Sequence, residues 1–117
     1  MKFKSARYLF CTALLTFFGA IAGTNGQSPE DYTFIASVQA NRCMSATQHP
    51  LGDLSPARLL RSDHCMQSHA KDLTADHLSV ICMSYPGIPN RSRFFYAKTM
   101  PDCDVLLQQL IRAASKR

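Results

Sequence analysis

The alternation of apolar and polar positions divides the chain into an apolar leader and five shorter segments separated by turns. The last segment has the clearest pattern, because Leu107, Leu110, Ile111 and Ala114 recur at the spacing of one helical face. The acidic residues before this stripe and the basic residues after it suit the two ends of a helix dipole. The pattern predicts a C-terminal helix that begins at Pro101-Asp102.

Two further helix starts are marked by a serine followed by proline, a combination that favours the first turn of a helix. The first, Ser28-Pro29, leads into YTFIASVQA, which alternates as a strand does but also fits one helical face. The capping pattern decides for a helix. The second start, Ser55-Pro56, predicts a helix from Pro56 to about His69.

Another helix is predicted to begin at Thr74. Its apolar positions are spaced i, i+3, i+4 and i+7, at Leu78, Ile81, Cys82 and Tyr85. A turn with two prolines follows, and residues 93–98 (RFFYAK) then form a short extended segment.

Together these elements predict a mainly α domain of three to four short helices, with one extended segment near 93–98 and two disulfides as possible cross-links. The chain is divided into a signal peptide (1–26), an N-terminal segment of the mature protein (27–54) and a helical domain (55–117).

The leader has the pattern of a secretory signal peptide. Three cations within residues 1–7 precede the apolar run Tyr8–Ala22, which is shorter than the roughly 20 apolar residues that a membrane-spanning helix needs. Cleavage is predicted after Ala22 or Gly26. We therefore expect an exported protein without a transmembrane segment.

Removal of the leader changes the charge of the protein. The whole chain carries 13 lysine and arginine residues against 8 acidic ones, a formal net charge of +5. Three of the cations lie in the leader, so the mature chain keeps 10 cations against 8 acids and a net charge of +2. Because bulk positive charge is then small, we expect no nucleic-acid partner.

The leader also contains Cys11, and its removal leaves four predicted disulfide cysteines: Cys43, Cys65, Cys82 and Cys103. A domain of this size gains from cross-links because its apolar core is small. Four cysteines allow three pairings, and the sequence leaves all three open. Free thiols are the alternative in a reducing compartment.

No group of residues has the spacing of a known catalytic or metal site. Cys65 and His69 can share a helical face as metal ligands, but no second ligand pair accompanies them. Asp102 and Asp104 are explained by a helix start. The basic-aromatic run RFFYAK can stack nucleic-acid bases, although a core strand explains it better. We predict no catalytic residue, no cofactor and no metal, and therefore no enzyme.

Asn90 is the acceptor position of an N-x-S sequon, Asn90-Arg91-Ser92, on the loop with the two prolines. In an exported protein this side chain can carry an N-linked glycan.

The tetrapeptide Arg58-Leu59-Leu60-Arg61 resembles the RxLR motif of secreted effectors from oomycete plant pathogens. It follows the predicted cleavage point by about thirty-five residues, and Arg58, Leu60 and Arg61 match the three fixed positions. The acidic stretch that often follows the motif in that family is reduced here to Asp63. The resemblance implies delivery into plant cells and interference with host defence.

Apart from this resemblance, Arg58 and Arg61 form a basic pair on the edge of an amphipathic helix, beside the apolar Leu59 and Leu60. Such a pair can make weak contact with anionic lipid headgroups.

These features lead us to expect a non-enzymatic effector that enters host plant cells, reaches their cytoplasm and nucleus, and suppresses defence-associated cell death by binding a host protein. The alternative is a disulfide-stabilised extracellular inhibitor or toxin-like binder, which the four cysteines and the sequon favour. A small secreted hydrolase or nuclease has no motif to support it.

Overall fold

The structure, a computed structural model, describes residues 27–116. The predicted signal peptide lies outside these residues, together with Cys11 and the cleavage positions at Ala22 and Gly26. The described part consists of one antiparallel sheet, one long helix and one short helix.

The elements in chain order are strands β1 (Phe34–Ser37) and β2 (Arg42–Ser45), helix α1 (Pro56–Leu60), strands β3 (Cys65–Ser68), β4 (Leu78–Cys82) and β5 (Ser92–Ala97), and helix α2 (Met100–Ser115). Single 3₁₀ turns at Pro29–Asp31 and Ala46–Gln48 flank the β1–β2 hairpin. The strands lie in the order β2-β1-β5-β4-β3, and each neighbouring pair is antiparallel.

The prediction of a mainly α domain with three to four helices is wrong, because most of the expected helical segments are strands. After Ser28-Pro29 the chain makes only one 3₁₀ turn and then continues as β1. There Ile35 pairs with Met44 of β2 and is 2% exposed. Both faces of β1 are buried, Ile35 on one face of the sheet and Ala36 on the other, and pairing with β2 and β5 outweighs the capping signal.

The other two misassigned segments are β3 and β4. The helix that starts at Pro56 ends at Leu60 instead of continuing to His69, and residues 65–68 are a strand. The segment Leu78–Cys82 carries apolar residues on both faces, because both faces of β4 are largely buried. A nearly continuous apolar run satisfies helical and strand spacing alike.

Two expected elements are present. The extended segment near 93–98 is β5, and the C-terminal helix is α2. Thr99 caps α2, since its Oγ1 accepts a hydrogen bond of 3.1 Å from the backbone amide of Asp102. The buried side chains of the helix are Cys103, Leu106, Leu107 and Leu110. Ala114, expected in the apolar stripe, is exposed.

Each face of the sheet packs against its own apolar core. On one face α1 contacts β3 and β4, and Leu59, Leu78 and Tyr96 are fully buried. On the other face α2 contacts β1, β2 and β5, and Leu106 and Ala97 are fully buried. Because β1 pairs with β5, residues on both sides of the boundary drawn at 54/55 build the same sheet.

Two disulfides connect these elements. Cys43–Cys103 joins β2 to α2, and Cys65–Cys82 joins β3 to β4, where the two residues are directly opposite in the strand register. This is one of the three pairings that four cysteines allow. Within residues 27–116, no helix is long and apolar enough to cross a membrane.

Candidate binding surface

The α2 side of the sheet is only half covered by the helix. The helix lies mainly over β1 and β2. Every second residue of β3, β4 and β5 also points to this side of the sheet, next to the area that the helix covers. We call this surface the open face and define it by the following partly or fully exposed residues: Met66, Ser68, Ile81, Met83, Arg93 and Phe95.

The open face has an apolar part on β3 and at the end of β4. The side chain of Met66 is 65% exposed and that of Met83 is 43% exposed. Ile81 lies directly opposite Met66 in the register and is half-buried. Unbranched thioether side chains adapt their shape to a partner more easily than branched ones do. This part of the face therefore suits contact with apolar side chains of varied shape.

Arg93 provides the positive charge of the open face. Its guanidinium carbon lies 5.3 Å from the centroid of the Phe95 ring, and its Nη2 donates a hydrogen bond of 3.3 Å to Oγ of Ser68. The ion pair found within residues 27–116 is Lys98–Asp76, with an N–O distance of 3.8 Å, and it does not involve Arg93. Arg93 is thus positioned by a ring and a hydroxyl, with no carboxylate at ion-pair distance in the described part of the chain.

Ser68, which accepts the hydrogen bond from Arg93, is itself hydrogen-bonded to Ser79. Ser68 and Ser79 are opposite each other in β3 and β4, and their Oγ atoms are 2.8 Å apart. Ser79, which is fully buried, also donates a hydrogen bond of 2.7 Å to the carbonyl oxygen of Ser68. These bonds leave the Oγ of Ser68 able to donate to Ser79 while it accepts from Arg93.

His77 is a buried polar side chain that directly precedes β4, on the same side of the sheet as Ser79 and Ile81. It is 2% exposed, and its Nδ1 lies 2.9 Å from the carbonyl oxygen of Ala75, the geometry of an Nδ1–H donor. Its Nε2 has no hydrogen-bond partner among the described residues. The exposed His69 stacks on it, with ring centroids 5.0 Å apart. Because His69 covers it, His77 is not part of the open face, which ends at this pair of rings.

The RLLR segment lies in and just after α1. Leu59 is fully buried in the α1-side core and Leu60 is half-buried against it, whereas Arg58 and Arg61 are exposed. Arg58 Nη1 donates a hydrogen bond of 2.6 Å to the carbonyl oxygen of Asp53. The two leucines therefore serve the fold, and the two arginines are accessible to other molecules.

Asp53 also organises the chain just before α1. Its Oδ1 accepts a hydrogen bond of 2.9 Å from the backbone amide of Ser55. This bond from the Ser55 amide is the main cause that lowers the pKa of the Asp53 carboxyl below its usual value. The surface around Arg58 and Arg61 thus includes the carboxylate of Asp53.

The sequon residue Asn90 is exposed on the loop between β4 and β5. Its Oδ1 accepts a hydrogen bond of 2.8 Å from the backbone amide of Ser84. Both Ser84 and Arg91 adopt positive φ angles, 57° and 64°. The asparagine side chain thus links the two ends of a tight loop, through its oxygen and not its nitrogen.

The other residues considered for chemistry are not brought together. Cys65 is bonded to Cys82, so Cys65 offers no thiolate that could ligate a metal together with His69. Asp102 and Asp104 are exposed on α2, Asp102 in its first turn and Asp104 just after that turn. Within residues 27–116, no group of three or more histidine, cysteine, aspartate or glutamate side chains is arranged to hold a metal ion.

The aromatic run of β5 is divided between the two faces of the sheet. Phe94 and Tyr96 pack in the α1-side core, and Phe95 lies on the α2 side beneath Arg93. The run therefore does not form the continuous row of exposed rings that would stack successive bases.

Two grooves lie outside the open face. An open groove of about 630 Å³ runs between α2 and the loop before β4, with Asp72, Arg112 and Lys116 among its lining residues. A more apolar groove of about 430 Å³ has Tyr32, Ala46 and Pro56 in its lining. The carboxylate at its rim, Glu30, already accepts a hydrogen bond of 2.7 Å from Ser28.

Sequence reasoning missed the open face because it placed Met66 and Ile81 on helices. The signal that can find it is period-two alternation in CMQS and SRFFYA, which puts Met66 with Ser68 and Arg93 with Phe95 on common faces.

The comparisons with known proteins give no relative: no protein-family model, no curated protein and no solved structure matches the chain.

Proposed function

We propose that the protein is a secreted, disulfide-stabilised binding protein that acts outside the cell that produces it, by contacting a partner protein through the open face. The observation that carries this proposal is Arg93, a guanidinium held by Phe95 and Ser68 beside exposed methionines. Two disulfides support an extracellular place of action, because such bonds persist in oxidising surroundings.

The proposal is tested with a variant that changes only the open face. Met66→Ser, Met83→Ser and Arg93→Gln are combined, because all three side chains are exposed and none belongs to a core. The oxidised secreted protein is immobilised and exposed to plant extracellular fluid, and the affinity for each retained protein is then measured with purified components. We expect the face variant to bind at least about tenfold more weakly than the wild type, as loss of a central arginine contact does at other interfaces.

The matched control replaces two exposed apolar side chains with serine and one arginine with glutamine elsewhere on the protein. Val38 and Val105 are 41% and 53% exposed, and Arg42 lies on β2 at the opposite edge of the sheet. The control variant, Val38→Ser with Val105→Ser and Arg42→Gln, is expected to bind as the wild type does. A chain that stays inside the producing cells contradicts the proposal, and so does a partner that binds both variants equally well.

A second candidate function is a host-directed effector, and the exposure of Arg58 and Arg61 favours it. In this proposal the protein enters host plant cells, acts in their cytoplasm and nucleus, and suppresses defence-associated cell death by binding a host protein. Arg58 lies in the last turn of α1 and Arg61 directly follows the helix, and weak contact of this pair with anionic lipid headgroups is part of the same proposal.

Expression in leaf cells together with a cell-death elicitor separates the two candidates. The effector proposal expects suppression by the chain without its leader, and loss of uptake of the external protein after Arg58→Ala with Arg61→Ala. The extracellular proposal expects that only the chain with its leader, which is secreted, changes the response of the leaf to the elicitor, and that the chain without its leader does not. If the leaderless chain has no effect and uptake does not depend on the arginines, the effector proposal fails.

A further inference from the structure

We infer that the open face recognises an extended segment of a partner protein in which a carboxylate side chain lies beside an apolar side chain. This inference rests on the proposed function and names the chemistry of the partner that the same surface fits.

The first support is the state of the Arg93 guanidinium. A guanidinium has five N–H donors in a planar fork, and the described contacts use one of them, on Ser68. Its guanidinium carbon lies 5.3 Å from the centroid of the Phe95 ring, and the side chain is exposed, so an edge of the fork is accessible to a ligand. An edge of this kind binds a carboxylate through two parallel hydrogen bonds.

The second support is the distribution of charge. The strand residues of β3, β4 and β5 include no aspartate and no glutamate. Lys98, just after β5, is the cation that forms an ion pair in the described part of the chain, with Asp76. Arg93 therefore lacks a negative partner within its own sheet region, and an incoming carboxylate meets no like charge from these strands.

The third support is the position of the apolar residues relative to Arg93. The register places Arg93 opposite Ile81, and Ile81 opposite Met66, in one row across three strands. Neighbouring strands are about 4.8 Å apart, so the row runs from a cation to apolar side chains over about 10 Å. In an extended peptide, side chains two residues apart point the same way at about 6.8 Å. A carboxylate on Arg93 and an apolar side chain over Ile81 and Met66 match this spacing.

A single-stranded nucleic acid fits the face less well. Such ligands need exposed rings for stacking and several cations along the phosphate backbone. The ring on this face, Phe95, is half-buried and already lies beneath Arg93, and Arg93 is the one lysine or arginine of the open face as defined.

The test uses two synthetic peptides of about ten residues. In the first, glutamate and leucine alternate at every second position with serine between them; in the second, glutamine replaces each glutamate. Both are titrated into the isotope-labelled oxidised protein, and amide chemical shifts give the affinity and the location. We expect the glutamate peptide to bind roughly tenfold more tightly than its twin, as a charge-assisted pair does, with shifts centred on Ser68, Ile81 and Arg93.

Variants assign the preference to the residues. Arg93→Gln should abolish the preference for glutamate over glutamine, whereas Arg42→Gln should keep it. Met66→Ser with Met83→Ser should weaken both peptides by the same factor, because it removes only apolar contact. All variants must give the dispersed amide spectrum of the wild type, so that loss of binding is not loss of fold.

Several results overturn the inference. These are no binding of either peptide, equal binding of both by the wild type, shifts centred away from the open face, or tighter binding of a single-stranded oligonucleotide at this face. None of these results contradicts the proposed function if a natural partner still binds the face variant more weakly than the control variant. If the protein is not secreted, the proposed function fails, but the preference for the glutamate peptide can still be measured with the purified oxidised protein.

Discussion

The hydroxyl of Tyr32 donates a hydrogen bond of 2.9 Å to Oδ1 of Asp76, which is 44 residues away in sequence. Nζ of Lys98 lies 3.8 Å from the other carboxylate oxygen of Asp76 and 5.2 Å from the centroid of the Tyr32 ring. Tyr32 is 1% exposed. Burial first, and then the hydrogen bond to Asp76, raise the pKa of the Tyr32 phenol to about 12.

The raised pKa predicts a loss of stability at alkaline pH. An unperturbed phenol titrates at pH 10.0, whereas the pKa of Tyr32 in the folded protein is about 12. The folded state binds this proton more tightly, so its contribution to stability is full below pH 10 and is lost as the pH rises through about 12. In a phenolate absorbance titration, the difference between wild type and Tyr32→Phe is expected to have its midpoint near 12.

Asp76→Asn is the matched variant for this prediction. It removes the carboxylate but leaves Tyr32 buried, and burial is the larger cause of the raised pKa. The midpoint of the difference titration should therefore fall but stay above 10. A wild-type midpoint near 10 would be incompatible with a buried, hydrogen-bonded phenol.

The two disulfides should differ in their contribution to stability. The sequence separation is 60 for Cys43–Cys103 and 17 for Cys65–Cys82. A disulfide that closes a longer loop removes more conformational entropy from the unfolded chain. Replacing both cysteines with serine should therefore lower the free energy of unfolding by about 4 kcal/mol for Cys43–Cys103 and about 3 kcal/mol for Cys65–Cys82. Urea unfolding of the two double variants measures both values. The reverse order would show that native-state contacts, not loop length, decide the difference.

The elements that the sequence predicts well are those whose signals are local. Helix α2 has its cap at Thr99, a proline at its second position and an apolar stripe, all within one continuous segment. By contrast, β1 and β4 contain four and five residues, which is too short to separate a period of two from a period of 3.6. Their identity depends on pairing with distant residues, such as Phe34 with Ala97, and single-segment patterns do not contain that information.

Substitutions in the RLLR segment should separate its structural role from any role in host entry. Leu59 is fully buried, so Leu59→Ala is expected to lower the free energy of unfolding by about 3 kcal/mol. Arg58→Ala with Arg61→Ala should change it by less than about 1 kcal/mol, because both side chains are exposed.

Thermal or urea unfolding measures these differences before any uptake experiment. Only the arginine variant is then suitable for testing host entry, since a loss of uptake in the leucine variant would reflect a damaged core. A stable Leu59→Ala variant would contradict the packing of α1 against β3 and β4.

The candidate binding surface was less accessible to prediction than the fold. Arg93 and Phe95 are two residues apart in one strand, so their common face follows once β5 is recognised. Ser68 contributes the hydrogen bond that holds Arg93 from a position 25 residues earlier. The exposure of Met66 depends on where α2 ends over the sheet, which is a tertiary property and has no local signature in the sequence.

The sequon Asn90-Arg91-Ser92 on the β4–β5 loop should carry an N-linked glycan. Asn90 is exposed, and its hydrogen bond to the Ser84 amide uses the oxygen of the side chain, whereas an N-linked glycan is attached to the nitrogen. Protein secreted from a eukaryotic host should therefore carry a glycan that peptide N-glycosidase removes, seen as a fall in mass. Ser92→Ala should remove the glycan while keeping the Asn90–Ser84 contact, and Ser92→Thr should keep both. Asn90→Gln should remove the glycan and, in unglycosylated protein, also lower the free energy of unfolding by about 1 kcal/mol through loss of that contact. An unchanged mass of the wild type after glycosidase treatment would exclude this modification.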